Sequence, residues 1–172
     1  MTKITAVHGD ITEQRVDAIV NAANSSLLGG SGVDGAIHRA GGPGLLEECK
    51  KLGGCKPGDA KITAGYLLPA SYVIHTVGPV YGSEGGREAD VLASCYRQSL
   101  LVGKKFRIKT IAFPAISTGT YGYPMDEAAD VAIRTVLKFI SEDPWYAEIR
   151  FVLFSKNAYQ LYLALLASKY AM

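Results

Sequence analysis

Three short apolar runs set the terms for how this chain can fold. Ile19-Val20, Thr110 to Phe113 and Phe151 to Phe154 are continuous rather than alternating. A strand with one wet face alternates apolar and polar residues, whereas a continuous run reads as a strand covered on both faces. With their leading residues these runs predict strands at Asp17 to Asn21, Lys109 to Phe113 and Ile149 to Phe154. Further strands are expected at Ile4 to Val7, Ile62 to Leu68 and Tyr72 to Val77, the last two joined through Pro69-Ala70-Ser71. Helical spacing lies between them. Ala129, Ile133, Val136, Leu137 and Ile140 form the clearest stripe, with Pro124 suited to its first turn, where a missing N–H costs nothing. Ile37, Leu45, Leu46, Cys49 and Leu52 form a second, interrupted by Gly41-Gly42-Pro43-Gly44. Leu92, Cys95, Tyr96 and Ser99 give a third, and Tyr159, Tyr162, Leu163 and Leu166 a fourth, capped by Ser155. Strands alternating with helices predict an α/β class: a three-layer α/β/α sandwich with a mixed, mostly parallel central sheet. At 172 residues, one domain spanning 1–172 is the expectation.

Composition removes several functions. Hydrophobic residues make up 48% and the net charge is +2, so disorder is excluded. The same small charge gives no broad attraction to nucleic acid, and any phosphate site must be local. The longest stretch free of Asp, Glu, Lys and Arg, Ile62 to Ser83, contains His75, two prolines and three glycines, which is unlike a membrane span. The start has no signal-peptide pattern, and three cysteines (Cys49, Cys55, Cys95) without metal or redox spacing suit a reducing compartment. A cytoplasmic monomer with no membrane contact is expected. Glycine is in excess, 19 of the 172 residues against about 7% in ordinary chains.

In parallel sheets, ligands bind beyond the carboxyl ends of the strands. The loop from Asn21 to His38 leaves one buried strand and enters a helix through Gly29-Gly30-Ser31-Gly32-Val33-Asp34-Gly35. Backbone N–H groups at a helix start attract anions, and glycine permits close approach. Gly30, Gly32 and Gly35 satisfy G-x-G-x-x-G, but the strand-to-glycine gap is long and no suitably placed acid follows, which argues against a dinucleotide oxidoreductase. Asn21 reads as a turn former bonding its own backbone or as a ligand contact. Asn24 is better placed to bond a ligand hydroxyl. Asp34 reads either as ordinary compensation of the helix dipole or as a carboxylate meeting a neutral part of the ligand or a water. The facing loop, Pro114 to Pro124, offers Ser117, Thr118 and Thr120 hydroxyls with Gly119 and Gly122. It lacks the P-loop pattern, and no G-x-S-x-G elbow supports a serine hydrolase. Two facing glycine loops suggest a pyrophosphate held by backbone amides. Asp10 reads as an Asx-turn or cap, and Phe154 as core or as a surface on which a base stacks.

Taken in order, Gly9-Asp10-Ile11-Thr12, Val16 to Asn24, Gly32 to Arg39, His75-Thr76-Val77-Gly78-Pro79 and Phe113 to Pro124 resemble the macrodomain family, specifically its MacroD-type members. The resemblance runs from about Ile4 to the last helix. It implies an ADP-ribose site in which Asp10 accepts from the adenine amino group, Ile11 lies beside the base and Phe154 stacks on it. Asn24 would bond the distal ribose. Gly32, Val33 and the amides of Ser117, Thr118, Gly119, Thr120 and Tyr121 would hold the diphosphate, with Tyr121 also packing on that ribose. Asp34 is implied as the catalytic acid, with Asn24 beside it. Ser31 departs from the family's usual glycine. If the loop needs a left-handed backbone there, the substitution costs roughly 1–2 kcal/mol; in any case its hydroxymethyl enters the distal-ribose space.

The expected activity is therefore hydrolysis of ester-linked ADP-ribosyl groups, on mono-ADP-ribosylated acidic side chains or on O-acetyl-ADP-ribose, through a water positioned by Asp34. ADP-ribosylated proteins and O-acetyl-ADP-ribose are the expected partners. A non-catalytic ADP-ribose-binding module is the alternative. No metal or cofactor is expected, since His8, His38 and Cys49 lack ligand spacing. His38, four residues after Asp34, reads as a structural hydrogen-bonding residue ahead of an assisting one. Gly82 to Gly86 reads as a surface loop.

Overall fold

The computed structural model describes residues 1–169. Its strands are β1 Lys3–His8, β2 Ala18–Ala23, β3 Ala60–Ala64, β4 Tyr72–Val77, β5 Thr110–Phe113 and β6 Glu148–Leu153. Its helices are α1 Gly32–Gly41, α2 Pro43–Lys50, α3 Glu88–Lys105, α4 Met125–Glu142 and α5 Lys156–Lys169, with a 3-10 turn at Ile11–Glu13. The strands form one sheet in the order β1-β6-β5-β2-β4-β3. All neighbours are parallel except β3, which runs antiparallel to β4 at the edge.

Side chains alternate between two apolar layers, and this makes the sandwich. Ala18, Val20, Ile111, Phe113, Phe151 and Leu153 pack with α3, α4 and α5 on one face. Ile19, Ala23, Ala112, Val152, Val73 and Val77 pack with Ile37 of α1 and Leu45 of α2 on the other. The apolar runs are continuous because both sets are buried. No described helix is long and apolar enough to cross a membrane. All three cysteines are buried and free.

The structure differs from the sequence expectations in several places. The second strand runs to Ala23 rather than Asn21, its last residues still paired with β4. The third strand ends at Ala64 rather than Leu68. Beyond it, Tyr66 turns left-handed (φ 52) and Leu68 N–H closes a turn on Gly65 O. Pro124 caps α4 from outside, its carbonyl accepting from Ala128 N–H. The last strand ends at Leu153, whose partner His8 is the final rung of the β1–β6 ladder. With no ladder beyond it, Phe154 is 85% exposed instead of buried. By contrast, Ser155 caps α5 as expected, accepting from Ala158 N–H at 3.1 Å. The break between α1 and α2 falls at Gly42, whose φ of 84 suits only glycine readily. The Gly82 to Gly86 segment is a loop with left-handed glycines at 82, 85 and 86.

Candidate functional site

The carboxyl ends of β1, β2, β5 and β6 open onto one cleft. Its smaller part, about 220 Å³, lies between the loop after β2 and the loop after β5. Its larger part, about 540 Å³, extends toward the ends of β1 and β6. The two share Gly32, Val33, Ala115 and Gly119 and form one continuous groove. Asn24, Ser31, Asp34, Ser117, Thr120 and Tyr121 line the smaller part. Asp10, Ile11, Thr118 and Phe154 line the larger. All thirteen candidate residues therefore meet in one place, although they come from four separated segments.

The start of α1 forms the middle of the groove. Gly32 has φ 59, and a Cβ built on it would meet nothing within 4 Å, so the backbone faces open space. The first N–H groups of any helix lack intrahelical partners and carry partial positive charge. Ser31 corrects one expectation. Its φ is −102, extended backbone open to any residue, so no left-handed strain arises there. The left-handed position is the next one, Gly32. Ser31 is exposed at the helix cap and makes no side-chain cap hydrogen bond, leaving its hydroxyl free toward the groove. Left-handed non-glycine backbone occurs earlier in the same loop, at Leu27 (φ 61), and across the groove. Ser117 has φ 69, and its buried Oγ has no hydrogen-bond partner among the described residues. A non-glycine held there costs on the order of 1–2 kcal/mol, and such strain clusters at functional sites.

Asp34 lies in the first turn of α1, yet it is only 4% exposed. Its Oδ1 accepts from Asn21 Nδ2 at 2.9 Å. A Cβ placed on Gly30 would stand 3.0 Å from Asp34 Oδ2 and 3.3 Å from Asn24 Nδ2. The carboxylate is thus held from behind at one oxygen, while the other sits with Asn24 above a residue that must be small. His38 Nε2 stands 3.4 Å from Asp34 Oδ1, close enough for an ion pair when protonated. Neither ring nitrogen makes an aligned hydrogen bond among the described residues, so the structural hydrogen bond expected of His38 is absent there.

Asn24 lines the groove, whereas Asn21 lines neither part of it. Asn24 Oδ1 accepts from Ser26 N–H at 3.1 Å and Ser26 Oγ at 2.6 Å, while its Nδ2 donates to Gly29 O at 2.9 Å. It is the local turn former, with one amide proton left for the groove. Asn21 is fully buried in β2 and reaches Asp34. Sequence reasoning missed this contact, and it missed His75, whose Nδ1 lies 3.1 Å from Asn21 Nδ2. A polar residue opposite another polar residue in two apolar strands was the available signal. Burial holds His75 neutral, its pKa pushed down to about 3, with His38 adding to the shift. Burial likewise raises Cys49 to about 11, helped by Asp34 and Glu48, so it stays an unreactive thiol.

At the far end, Asp10 caps the 3-10 turn, accepting from Thr12 N–H at 2.9 Å and Thr12 Oγ1 at 2.7 Å, both on Oδ1. Its Oδ2 takes no hydrogen bond among the described residues. The exposed Phe154 ring stands in the same part of the groove. No cluster of His, Cys, Asp and Glu suited to a metal occurs among the described residues.

The sequence and fold recur among known proteins. A Methanosarcina mazei macro domain-containing protein is 58% identical over 157 residues, covering 91% of this chain and 83% of that protein. A Xenopus laevis protein named ADP-ribose glycohydrolase MACROD2 is 59% identical over 142 residues, covering 82% of this chain but 34% of that longer protein. The Trypanosoma brucei macrodomain, solved in complex with ADP-ribose, superposes with a TM-score of 0.90 at 43% identity, covering 95% of this chain and 68% of that one. The Macro domain family pattern matches residues 20–132, which spans both glycine loops and Asp34. On fold and sequence together, the chain belongs to the Macro domain family.

Proposed function

We propose that the cleft binds ADP-ribose and that the chain hydrolyses ester-linked ADP-ribosyl groups. One observation carries the reading: Asp34 is a buried carboxylate tethered at Oδ1, with Oδ2 set beside Asn24 in the wall of the groove. Dipole compensation alone would leave such an acid in solvent. Burial at the junction of two glycine loops is what a water-orienting group requires. The start of α1 and the Ser117 to Tyr121 loop supply amides for a diphosphate without a basic patch, in keeping with the net charge of +2. Asp10 Oδ2 would accept from the adenine amino group, and the Phe154 ring would stack on the base. The distal ribose then lies between Asn24, Ser31 and Tyr121, with its ester bond near Asp34.

Most of the rate would come from holding water and ester in register. Both a glutamate ester of ADP-ribose and O-acetyl-ADP-ribose present a carbonyl at that point, so both are proposed substrates. Support comes from the relative named as an ADP-ribose glycohydrolase and from the neighbour solved with ADP-ribose. The test is loss of label from a protein mono-ADP-ribosylated on glutamate, with wild type and Asp34→Ala. Wild type is expected to strip the label and the variant to retain it while still binding ADP-ribose. Persistent label with wild type, alongside measurable ADP-ribose affinity, leaves a binding module only.

A further inference from the structure

The layer between the sheet and α1–α2 holds three buried polar side chains from neighbouring strands behind Asp34. Asn21, His75 and Thr63 are 0%, 0% and 2% exposed. They come from the adjacent strands β2, β4 and β3, and Asn21 and His75 are direct partners in the parallel register. Buried polar groups are mostly hydrogen-bonded; Asn21 Oδ1 has no partner among the described residues, but the direction of each bond that is made is forced. Asp34 Oδ1, as a carboxylate oxygen, only accepts, so Asn21 must turn its NH2 group toward it, at 2.9 Å. The second proton of that group points at His75 Nδ1, 3.1 Å away. His75 Nδ1 must therefore accept, and the ring proton sits on Nε2. That nitrogen lies 3.0 Å from Thr63 Oγ1, whose own proton goes to Ala64 O at 3.0 Å. Among the described residues, the titratable groups around the imidazole include Cys49 Sγ, 3.7 Å from the same Nε2, the His38 ring, 6.3 Å away between centroids, and Lys61, the ladder partner of His75, whose Nζ donates to Leu52 O and Gly54 O. His75 lines neither part of the groove, so ligand contact does not account for it.

We infer that His75 is a positioning residue: through its Nδ1 lone pair it orients the Asn21 amide, and that amide fixes the Asp34 carboxylate so that Oδ2 faces the groove. The chain of bonds runs from the backbone of the edge strand to the carboxylate across three strands. Without an acceptor at position 75, the second Asn21 amide proton is left buried and unpaired, the amide tilts away from Asp34 to find another partner, and the carboxylate loses its tether. Losses of positioning of this kind cost about 10- to 100-fold in rate. The inference rests on Asp34 being the group that orients the attacking water.

The test compares wild type, Asp34→Ala, His75→Phe and His75→Asn in steady-state hydrolysis of O-acetyl-ADP-ribose, with ADP-ribose affinity measured by calorimetry. His75→Phe removes the acceptor, whereas His75→Asn places an amide oxygen near the position of Nδ1. His75→Phe is expected to lower kcat by about 10- to 100-fold with KM and ADP-ribose Kd within about twofold of wild type. His75→Asn should recover most of that loss. Equal kcat for His75→Phe and wild type, with Asp34→Ala inactive, overturns the role of His75 and leaves the hydrolase reading standing. Equal impairment of both His75 variants also overturns it. Wild type as inactive as Asp34→Ala overturns the hydrolase reading and this inference with it. Nitrogen-15 spectra of the wild-type imidazoles give a check that needs no variant. A neutral Nε2–H tautomer for His75 between about pH 8 and about pH 5 is expected; an Nδ1–H tautomer or an imidazolium overturns the inference.

Discussion

The two ends of the cleft hold their carboxylates by different means. Asp10 is fixed by its own turn, through a backbone N–H and a hydroxyl two residues away in sequence. Asp34 is fixed by Asn21, 13 residues away, which lies in turn against His75, 54 residues from Asn21. The Asp10 end is open, with an exposed ring beside it. The Asp34 end is closed, with three buried polar side chains behind the acid. A recognition group needs only one oxygen presented at a defined place, and a short turn suffices. A group that must hold a water in register needs its rotation frozen, and that requires contacts from several elements.

The contrast can be broken most severely at the closed end. Asp34→Ala is expected to reduce turnover by about 100-fold or more while changing ADP-ribose affinity only a few-fold, as single-turnover hydrolysis and calorimetry would show. A comparable loss of affinity and of turnover would mean that Asp34 is a binding group. At the open end the sign pattern reverses. Phe154→Ala should weaken ADP-ribose binding by about tenfold, within the usual worth of an aromatic–base stack, and leave kcat intact once substrate saturates. Because the ring is exposed, its loss should shift unfolding stability by no more than about 0.5 kcal/mol.

Acid should distinguish the ends next. His75 is buried and neutral, pushed down to about 3 from its ordinary 6.5. The unfolded chain then binds a proton that the folded one refuses. This contribution to stability is present above about pH 6.5 and is lost progressively as pH falls toward about 3. Chemical denaturation at a series of pH values should show a shallower decline for His75→Asn, by about one proton at most. An unchanged slope would mean that another group carries the acid sensitivity. The smallest effect belongs to Ser31→Gly. Since the backbone there is extended, no strain is relieved, and a helix-cap serine replaced by glycine changes stability by only a few tenths of a kcal/mol. ADP-ribose affinity should move by less than about threefold, and a much larger gain would show that the hydroxymethyl obstructs the ribose.

Much of this was legible in the chain. Apolar runs such as Thr110 to Phe113 announced strands covered on both faces, and the sheet places Ile111 and Phe113 in one layer and Ala112 in the other. The Ala129 to Ile140 stripe became α4. The two glycine loops were recognisable because glycine and short polar residues between a strand and a helix have few other uses. What failed was boundary and partner. The third strand stops at Ala64 because Gly65 and Tyr66 turn the chain, a local event that the apolar Leu67 and Leu68 concealed. Phe154 was open between core and a stacking surface because its residue type allows both, and only the end of the β1–β6 ladder shows it to be bare.

The sequence by itself determined the layers, the loops at the carboxyl ends of the strands and the local cap at Asp10, since each follows from periodicity or from contacts within a few residues. It could not decide where strain lies or what stands behind Asp34. The left-handed backbone of the two loops is at Leu27, Gly29, Gly32, Ser117 and Gly122 rather than at Ser31, which depends on how each loop closes against its neighbours. The meeting of Asn21, Asp34, His75 and Thr63 depends on strand order: β4 lies beside β2, and β3 beyond it. Sheet register is a long-range property, decided by which faces must be buried together. The same property determines whether a buried histidine is idle packing or the support of a reacting group.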